Sequence, residues 1–392
     1  MKVLFIEPCF VDFGGYFRAI NVCSNLSKKG VQVDLLVASK KDFSFTIKKK
    51  KINDNLTQYE LPRWNFHFFL NGRVARGMIA FFFGLFGRYD IIHACVPVQL
   101  ESNIPAVLLK LLGKKVVMDW DDYWEGSSIY GEYPLMKRYV AFCEQKAPGF
   151  FENMVVVSDF LKDLSKKRGA KNILKLINGV NPEQFIRYSR EEGRKKLDLD
   201  PKGKYLLTFG HTYINDRAYL LFKAFEEIYK LDPSIKLLFN YDAEKIYIEQ
   251  KLEGRVSKEC LKNIVNVGYI QQQDLGYYLG ACDAVIFLMG DADNERACFP
   301  IRIGSYLNGE AIIIINDTNS EASNTLKAYD CAVVDSEIST LARRAVDILN
   351  NSQEQDRLRE NIKKARIEIS WENHIDKLIA FYKTVTQGDQ IR

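Results

Sequence analysis

Long apolar runs are missing from this 392-residue sequence. The longest apolar run without a charge is Gly77 to Gly87, 11 residues between Arg76 and Arg88, whereas a membrane-spanning helix needs about 20. No spanning segment is expected. Histidine is scarce, with four residues, His67, His93, His211 and His374, which argues against a histidine-rich metal site. The eight cysteines, Cys9, Cys23, Cys95, Cys143, Cys260, Cys282, Cys298 and Cys331, form no C-x-x-C pair. They read as buried thiols in a reducing compartment rather than as zinc ligands or disulfides, so no structural metal is expected. The G-x-G-x-x-G dinucleotide fingerprint is absent, which counts against an NAD enzyme. The chain opens directly on the strand-like Lys2-Val3-Leu4-Phe5-Ile6-Glu7, without the basic and longer apolar regions of a secretory signal, and a cytoplasmic location is expected.

What is present suits two globular domains: 47% apolar residues in a length too great for one ordinary core. Short apolar runs alternate with helix-length amphipathic segments, the pattern of parallel sheets covered by helices on both faces. In the first half strands are expected at Val3–Glu7, Val33–Val37, Ile91–Val96, Val116–Asp119, Met154–Val157 and Leu174–Ile177. In the second they are expected at Tyr205–Phe209, Lys236–Asn240, Val265–Tyr269, Ala284–Leu288, Ala311–Ile315 and Ala332–Val334. The fold class is therefore α/β with two doubly wound domains. Turn chemistry in Asn178-Gly179-Val180-Asn181-Pro182 places the boundary between Asn178 and Lys204. Trp371 to Val385 reads as a final amphipathic helix.

Charge is uneven. Residues 1–180 hold 26 Lys+Arg against 17 Asp+Glu, and the remainder 29 against 33. A basic first half suits nucleic acid, an anionic membrane or an acidic acceptor, or is simply a solvated surface.

Ligands of open parallel sheets bind beyond the carboxyl ends of strands, so the segments after strands carry most of the information. Phe13-Gly14-Gly15-Tyr16 precedes a helix, where paired glycines admit an anion to backbone N–H groups or merely make a tight turn. Asp119-Trp120-Asp121-Asp122 sets three carboxylates and a ring at a strand end. They suit hydrogen bonds to sugar hydroxyls, base catalysis or cation binding, or else a helix cap with solvated charge. Gly210-His211-Thr212, followed by Asn215-Asp216-Arg217, can hold a diphosphate through His211 and Arg217, or be structural. In the long segment Asn294 to Gly309, a helix is expected to start near Ile301, where its first N–H groups, Arg302 and Arg296 can meet a phosphate. Lys48 to Lys51, Trp64 to Leu70, Arg73, Arg76, Phe81 to Phe83, Phe86 and Arg88 mix aromatics with cations. That mixture suits an interfacial helix or a packed core surface.

The order of these segments resembles the GT-B superfamily of glycosyltransferases, particularly the retaining-type group of bacteria that makes surface polysaccharides and glycolipids, and covers nearly the whole chain. The resemblance is carried by Gly14-Gly15, Val155-Val156-Val157-Ser158, Asn178-Gly179-Val180-Asn181-Pro182-Glu183-Gln184-Phe185 and Val267-Gly268-Tyr269-Ile270. It continues through Asp274-Leu275-Gly276-Tyr277-Tyr278, Ala281-Cys282-Asp283-Ala284 and Ser370-Trp371-Glu372. It implies two Rossmann-like doubly wound domains facing across a cleft: an acceptor domain at 1–180, a nucleotide-sugar domain at 181–369, and a terminal helix at 370–392 crossing back to the first.

The resemblance further implies transfer of a sugar from a nucleotide-diphosphate donor to a cytoplasmic-face saccharide or glycolipid acceptor. Its expected partners are the nucleotide sugar, the acceptor and an anionic membrane surface, with no nucleic acid, no further cofactor and no metal. Related alternatives are a sugar-nucleotide epimerase or hydrolase and a catalytically lapsed assembly subunit. Catalysis falls to Asp121, Asp122 and Glu295, and acceptor or sugar contact to Asp119 and Trp120. Donor binding falls to Gly14, Gly15, Gly210, His211, Arg217, Tyr269, Ile270, Arg296, Phe299, Pro300, Ile301, Arg302 and Ser305. Two departures stand out. The second acid that grips ribose in relatives is replaced by Ile303 or Ser305, according to alignment, and the diphosphate-clamping arginine and lysine by His211 and by Asp216 beside Arg217.

Overall fold

The computed structural model describes residues 1–64, 72–125, 133–210, 217–240 and 256–387, with the side chains of Gln184 and Arg217 outside that description. The chain divides into two compact units: Met1–Gly179 with Ala297–Ile301 and Trp371–Arg392, and Val180–Arg296 with Arg302–Ser370.

The first unit is built on an eight-stranded sheet of β1 (Lys2–Phe10), β2 (Gln32–Ala38), β3 (Lys48–Lys51), β4 (Leu56–Leu61), β5 (Ile91–Cys95), β6 (Val116–Trp120), β7 (Asn153–Val156) and β8 (Asn172–Lys175). Their order is β3-β4-β2-β1-β5-β6-β7-β8, and all pairs are parallel except β3 with β4. Its helices are α1 (Tyr16–Lys28), α2 (Arg73–Phe86), α3 (Leu100–Leu111), α4 (Pro134–Phe151) and α5 (Asp159–Lys167). Strands β5 and β6 are buried along their whole length, which is why they read as near-continuous apolar runs. Strand β3 went unexpected because four exposed lysines carry no alternation. A lysine row on a sheet edge discourages pairing with another chain. Strand β4 was also missed, since Gln58 occupies a buried position that an apolar residue would normally mark.

The second unit carries a six-stranded parallel sheet of β9 (Lys204–Thr208), β10 (Ile235–Phe239), β11 (Ile264–Asn266), β12 (Ala284–Phe287), β13 (Ile313–Asn316) and β14 (Ala332–Asp335). The order is β11-β10-β9-β12-β13-β14. Around it lie α6 (Arg190–Lys196), α7 (Arg217–Leu231), α8 (Lys258–Lys262), α9 (Leu275–Ala281), α10 (Asp293–Ala297), α11 (Ile301–Asn308), α12 (Glu321–Ala328), α13 (Ile338–Leu349) and α14 (Ser352–Glu368). Strand β11 stops at Asn266, so Tyr269 lies beyond the sheet. Each unit has its own apolar core.

The terminal helix α15 (Trp371–Gln387) buries Trp371, Ile375, Leu378, Tyr382 and Val385 in the core of the first unit. Each such side chain contributes roughly 2 kcal/mol of transfer free energy, and Tyr382 adds a hydrogen bond between its hydroxyl and His93 Nδ1 at 2.7 Å. Ala297–Ile301, assigned from sequence to the second domain, groups with the first by packing. Asn178 Nδ2 donates to the Phe299 carbonyl at 2.6 Å, and the Phe299 ring is buried.

Both sheets reverse their winding once. In the first, β2, β4 and β3 lie to one side of β1 and β5 to β8 to the other. In the second, β10 and β11 lie to one side of β9 and β12 to β14 to the other. Such switch points open a crevice at the carboxyl ends of the two central strands.

Candidate functional site

At the switch point of the first unit lies a cavity of about 260 Å³. Its floor comes from the end of β1 and the following turn. Gly14 sits at φ +50°, and a Cβ on Gly15 would stand 3.0 Å from Glu7 Oε1, so only glycine lets the turn lie this close to that carboxylate. Glu7 is buried and accepts from the Cys9 amide at 2.9 Å. Burial nonetheless pulls its pKa up to about 7. Phe13 is 51% exposed beside the cavity, and its ring stacks on Phe10 at 4.5 Å.

Beyond β6 the chain brings Asp121 and Asp122 to the cavity wall. Burial raises the Asp121 pKa well above the carboxylate range, reinforced by Asp122 and Asp119, and its Oδ1 has no hydrogen-bond partner among the described residues. The other two residues of that expected cluster are corrected by the structure, since neither lines the cavity. Asp119 is buried and gripped by Arg18, Nε to Oδ2 at 3.1 Å and Nη2 to Oδ1 at 3.2 Å, with His93 Nε2 at 3.2 Å from Oδ2. Arg18 also donates to Asn178 Oδ1 and the Leu176 carbonyl. Burial disfavours the Asp119 charge, but Arg18 and His93 outweigh it and hold the pKa below the usual value. Trp120 is fully buried, its Nε1 shared between the Asp122 carbonyl and Glu144 Oε1. These two side chains hold the interior together. His93, Cys95 and Asp119 place potential ligand atoms within 4.8 Å of one another, but both Asp119 oxygens are already engaged.

Three guanidinium groups that the sequence did not assign to this cavity also line it: Arg63, Arg73 and Arg76. Arg63 lies over the Phe10 ring at 4.0 Å and pairs with Asp42 at 2.7 Å. Arg76 is almost wholly buried, donating to the Pro62 carbonyl at 3.1 Å and to Glu101 Oε1 at 2.9 Å. Arg76 Nε and Glu101 Oε2 lack partners among the described residues. Arg73 donates to Gln99 Oε1 at 3.1 Å with its side chain 35% exposed. The sequence pattern alone groups Arg73 and Arg76 with the aromatics of an interfacial helix. Their i, i+3 spacing, which sets them on one face of α2, is the signal that separates them from Val74 and Met78.

The second switch point is built differently. Arg302, in the first turn of α11, sends Nη1 to the Phe209 carbonyl at 2.9 Å and lies over the Phe287 ring at 5.1 Å. Gly210 makes room for it: φ is +91°, and a Cβ there would meet the guanidinium carbon at 2.7 Å. The loop after β12 is pinned by Asn316, which accepts from the Met289 amide and donates to its carbonyl. Glu295, expected to contact a sugar, is instead fully buried and accepts from the Gly290 amide at 3.1 Å, closing this loop. Ile303 is in the core, whereas Ser305 is half-buried one turn beyond Arg302. Arg296 pairs with Asp293 at 3.7 Å. Pro300, Ile301 and Ile270 are partly exposed, and Tyr269 is 82% exposed. His211, Asn215, Asp216 and the Arg217 side chain lie outside the described residues, as do residues 65–71 of the aromatic stretch.

No family model and no curated protein matches the sequence. Solved structures do. The chain is similar to sucrose-phosphate synthase from Thermosynechococcus elongatus, with TM-score 0.71, 13% identity and 99% of each chain covered. It is also similar to a glycosyltransferase from Rickettsia africae, with TM-score 0.67, 15% identity and 98% of each chain covered. A third is WaaG, a glycosyltransferase involved in lipopolysaccharide biosynthesis, with TM-score 0.63, 14% identity and 98% of each chain covered. The fold is the GT-B fold, with two Rossmann-like parallel-sheet domains.

Proposed function

We propose that this chain is a glycosyltransferase that moves a sugar from a nucleotide-diphosphate sugar, held at the switch point of the second unit, to a saccharide or glycolipid hydroxyl. The observation that carries the reading is Arg302 in the first turn of α11, laid beside Gly210 at the carboxyl end of β9. A departing diphosphate gains negative charge as the glycosidic bond breaks, and a guanidinium beside helix N-terminal amides stabilises that charge without a metal. Ser305 offers its hydroxyl to the ribose, while Asp121, whose buried Oδ1 has no partner among the described residues, receives the acceptor hydroxyl.

Arg302→Ala should raise the donor dissociation constant tenfold or more, about 1.4 kcal/mol, in calorimetric titration with nucleotide sugars. Unchanged affinity overturns the assignment. Incubation with donor alone separates the related activities, because full turnover without acceptor means an epimerase or hydrolase. Failure of every nucleoside diphosphate to raise the melting temperature points to an assembly subunit.

An anionic membrane surface on the cytoplasmic side is the proposed setting. Helix α2 exposes Val74, Met78, Phe82 and Phe86 at four-residue spacing, and α3 exposes Ile104, Leu108 and Leu111, with exposed Leu112 just past its end. The lysine strand adjoins this face, since Lys49 lies over the Tyr59 ring and Tyr59 meets Phe83 edge-on at 5.0 Å. Apolar side chains beside lysines match an anionic headgroup layer. Flotation with anionic vesicles should carry the protein up and raised salt should release it. Equal binding to neutral vesicles removes the electrostatic part.

A further inference from the structure

We infer that the cavity of the first unit receives a sugar bearing an anionic group, phosphate or carboxylate, with the anion against Arg63, Arg73 and Arg76 and a hydroxyl against Asp121. The word acceptor for this sugar rests on the glycosyltransferase reading above.

The cavity lining combines three guanidinium groups, Arg63, Arg73 and Arg76, with the carboxylates Glu101, Asp121 and Asp122. Arg73 and Arg76 share Glu101, at 3.9 and 2.9 Å, and Arg63 pairs with Asp42. A neutral sugar is served by hydroxyls, amides and carboxylates, and gains nothing from three cations. A phosphate or carboxylate, by contrast, matches the planar fork of arginine. Arg76 cannot turn away to solvent: it is 7% exposed, held by Pro62 and Glu101, and its Nε proton lacks a partner among the described residues. Glu101 and Asp42 hold Arg76 and Arg63 in place and offset their charge. Arg73, 35% exposed and tied to Gln99, is the most accessible of the three.

Phe13 supplies an exposed ring for the apolar face of a pyranose, stiffened by its stack on Phe10. The volume, about 260 Å³, falls just under the lower end of ordinary small-molecule sites at roughly 300 Å³. The cavity therefore suits one sugar residue with its anionic group rather than an oligosaccharide.

The full chain is titrated calorimetrically with hexose 6-phosphates and hexuronates of the gluco, galacto and manno series, with the parent hexoses and with inorganic phosphate. At least one sugar acid should bind tenfold or more tighter than both its parent hexose and inorganic phosphate. That margin should shrink in raised salt and in Arg73→Gln. The better series of the two identifies the anion as phosphate or carboxylate. Parent hexoses binding as tightly as the acids overturns the inference, as does an anion preference untouched in folded Arg63→Gln and Arg73→Gln. Inorganic phosphate binding as tightly as the sugar phosphates also overturns it, leaving a general anion contact. Melting shifts with nucleoside diphosphates in the same samples keep the two readings apart. If nucleotides stabilise the chain and no sugar acid binds, this inference alone fails. If sugar acids bind and no nucleotide does, the anionic-sugar cavity stands and the transferase reading falls.

Discussion

The two switch points share a topology and differ in chemistry. In the first unit the lining of the cavity brings the carboxylates Asp121 and Asp122, just past β6, together with Arg63, Arg73 and Arg76. In the second, the described residues bring glycine, amides and the Arg302 guanidinium together, with acidic Glu295 withdrawn into the loop interior. Parallel winding determines where a ligand sits, and the few residues just past the strands determine what it is. A lining of carboxylates and arginines suits hydroxyls and anions of a small sugar; a guanidinium at a helix start suits a diphosphate.

The comparison breaks most visibly at Arg18. Arg18→Ala leaves Asp119 buried without its guanidinium partner and should cost the first unit about 3–5 kcal/mol in urea unfolding. Nucleotide affinity should persist under native conditions, and a parallel loss of it would show that the units do not act separately. A smaller effect is expected at Glu7. Its pKa is about 7 when folded and 4.5 as an ordinary glutamate, so the folded chain holds the proton longer, and stability falls as pH rises from 4.5 through 7. Glu7→Gln should recover up to ~3 kcal/mol at pH 8 and gain nothing at pH 4, read from melting curves. Glu144, also raised to about 7 by burial, leaves a slope of the same sign in that variant. His374, lowered to about 4 by burial, acts oppositely and destabilises as pH falls through 6.5 towards 4. The Arg302→Ala change in donor affinity is smaller than either stability effect, and no matching change is expected for ligands of the first cavity.

Much of the architecture was legible. The twelve expected strands correspond to β1, β2 and β5 to β14, and the start of α11 falls at Ile301 as its proline predicted. Those segments announce themselves because fully buried parallel strands and helix starts carry local signals. Less of the candidate site was legible. Asp119 and Asp121 stand two residues apart, and nothing local says that Arg18, 101 residues earlier, claims the first and leaves Oδ1 of the second without a hydrogen-bond partner among the described residues. Glu295 sat at a suggestive spacing, yet its carboxylate serves Gly290. Arg73 and Arg76 looked like companions of the neighbouring phenylalanines until the turn of α2 separated them, cations to the cavity and Val74, Met78, Phe82 and Phe86 to the outside.

Sequence by itself determined the two parallel-sheet domains, the terminal helix and the strand ends where ligands belong, because burial pattern and turn chemistry act over a few residues. Tertiary structure alone decided which polar groups are spent on the interior and which remain for a ligand. A buried charge takes whichever partner the fold brings within about 3 Å, and such partners come from strands and helices far apart in the chain.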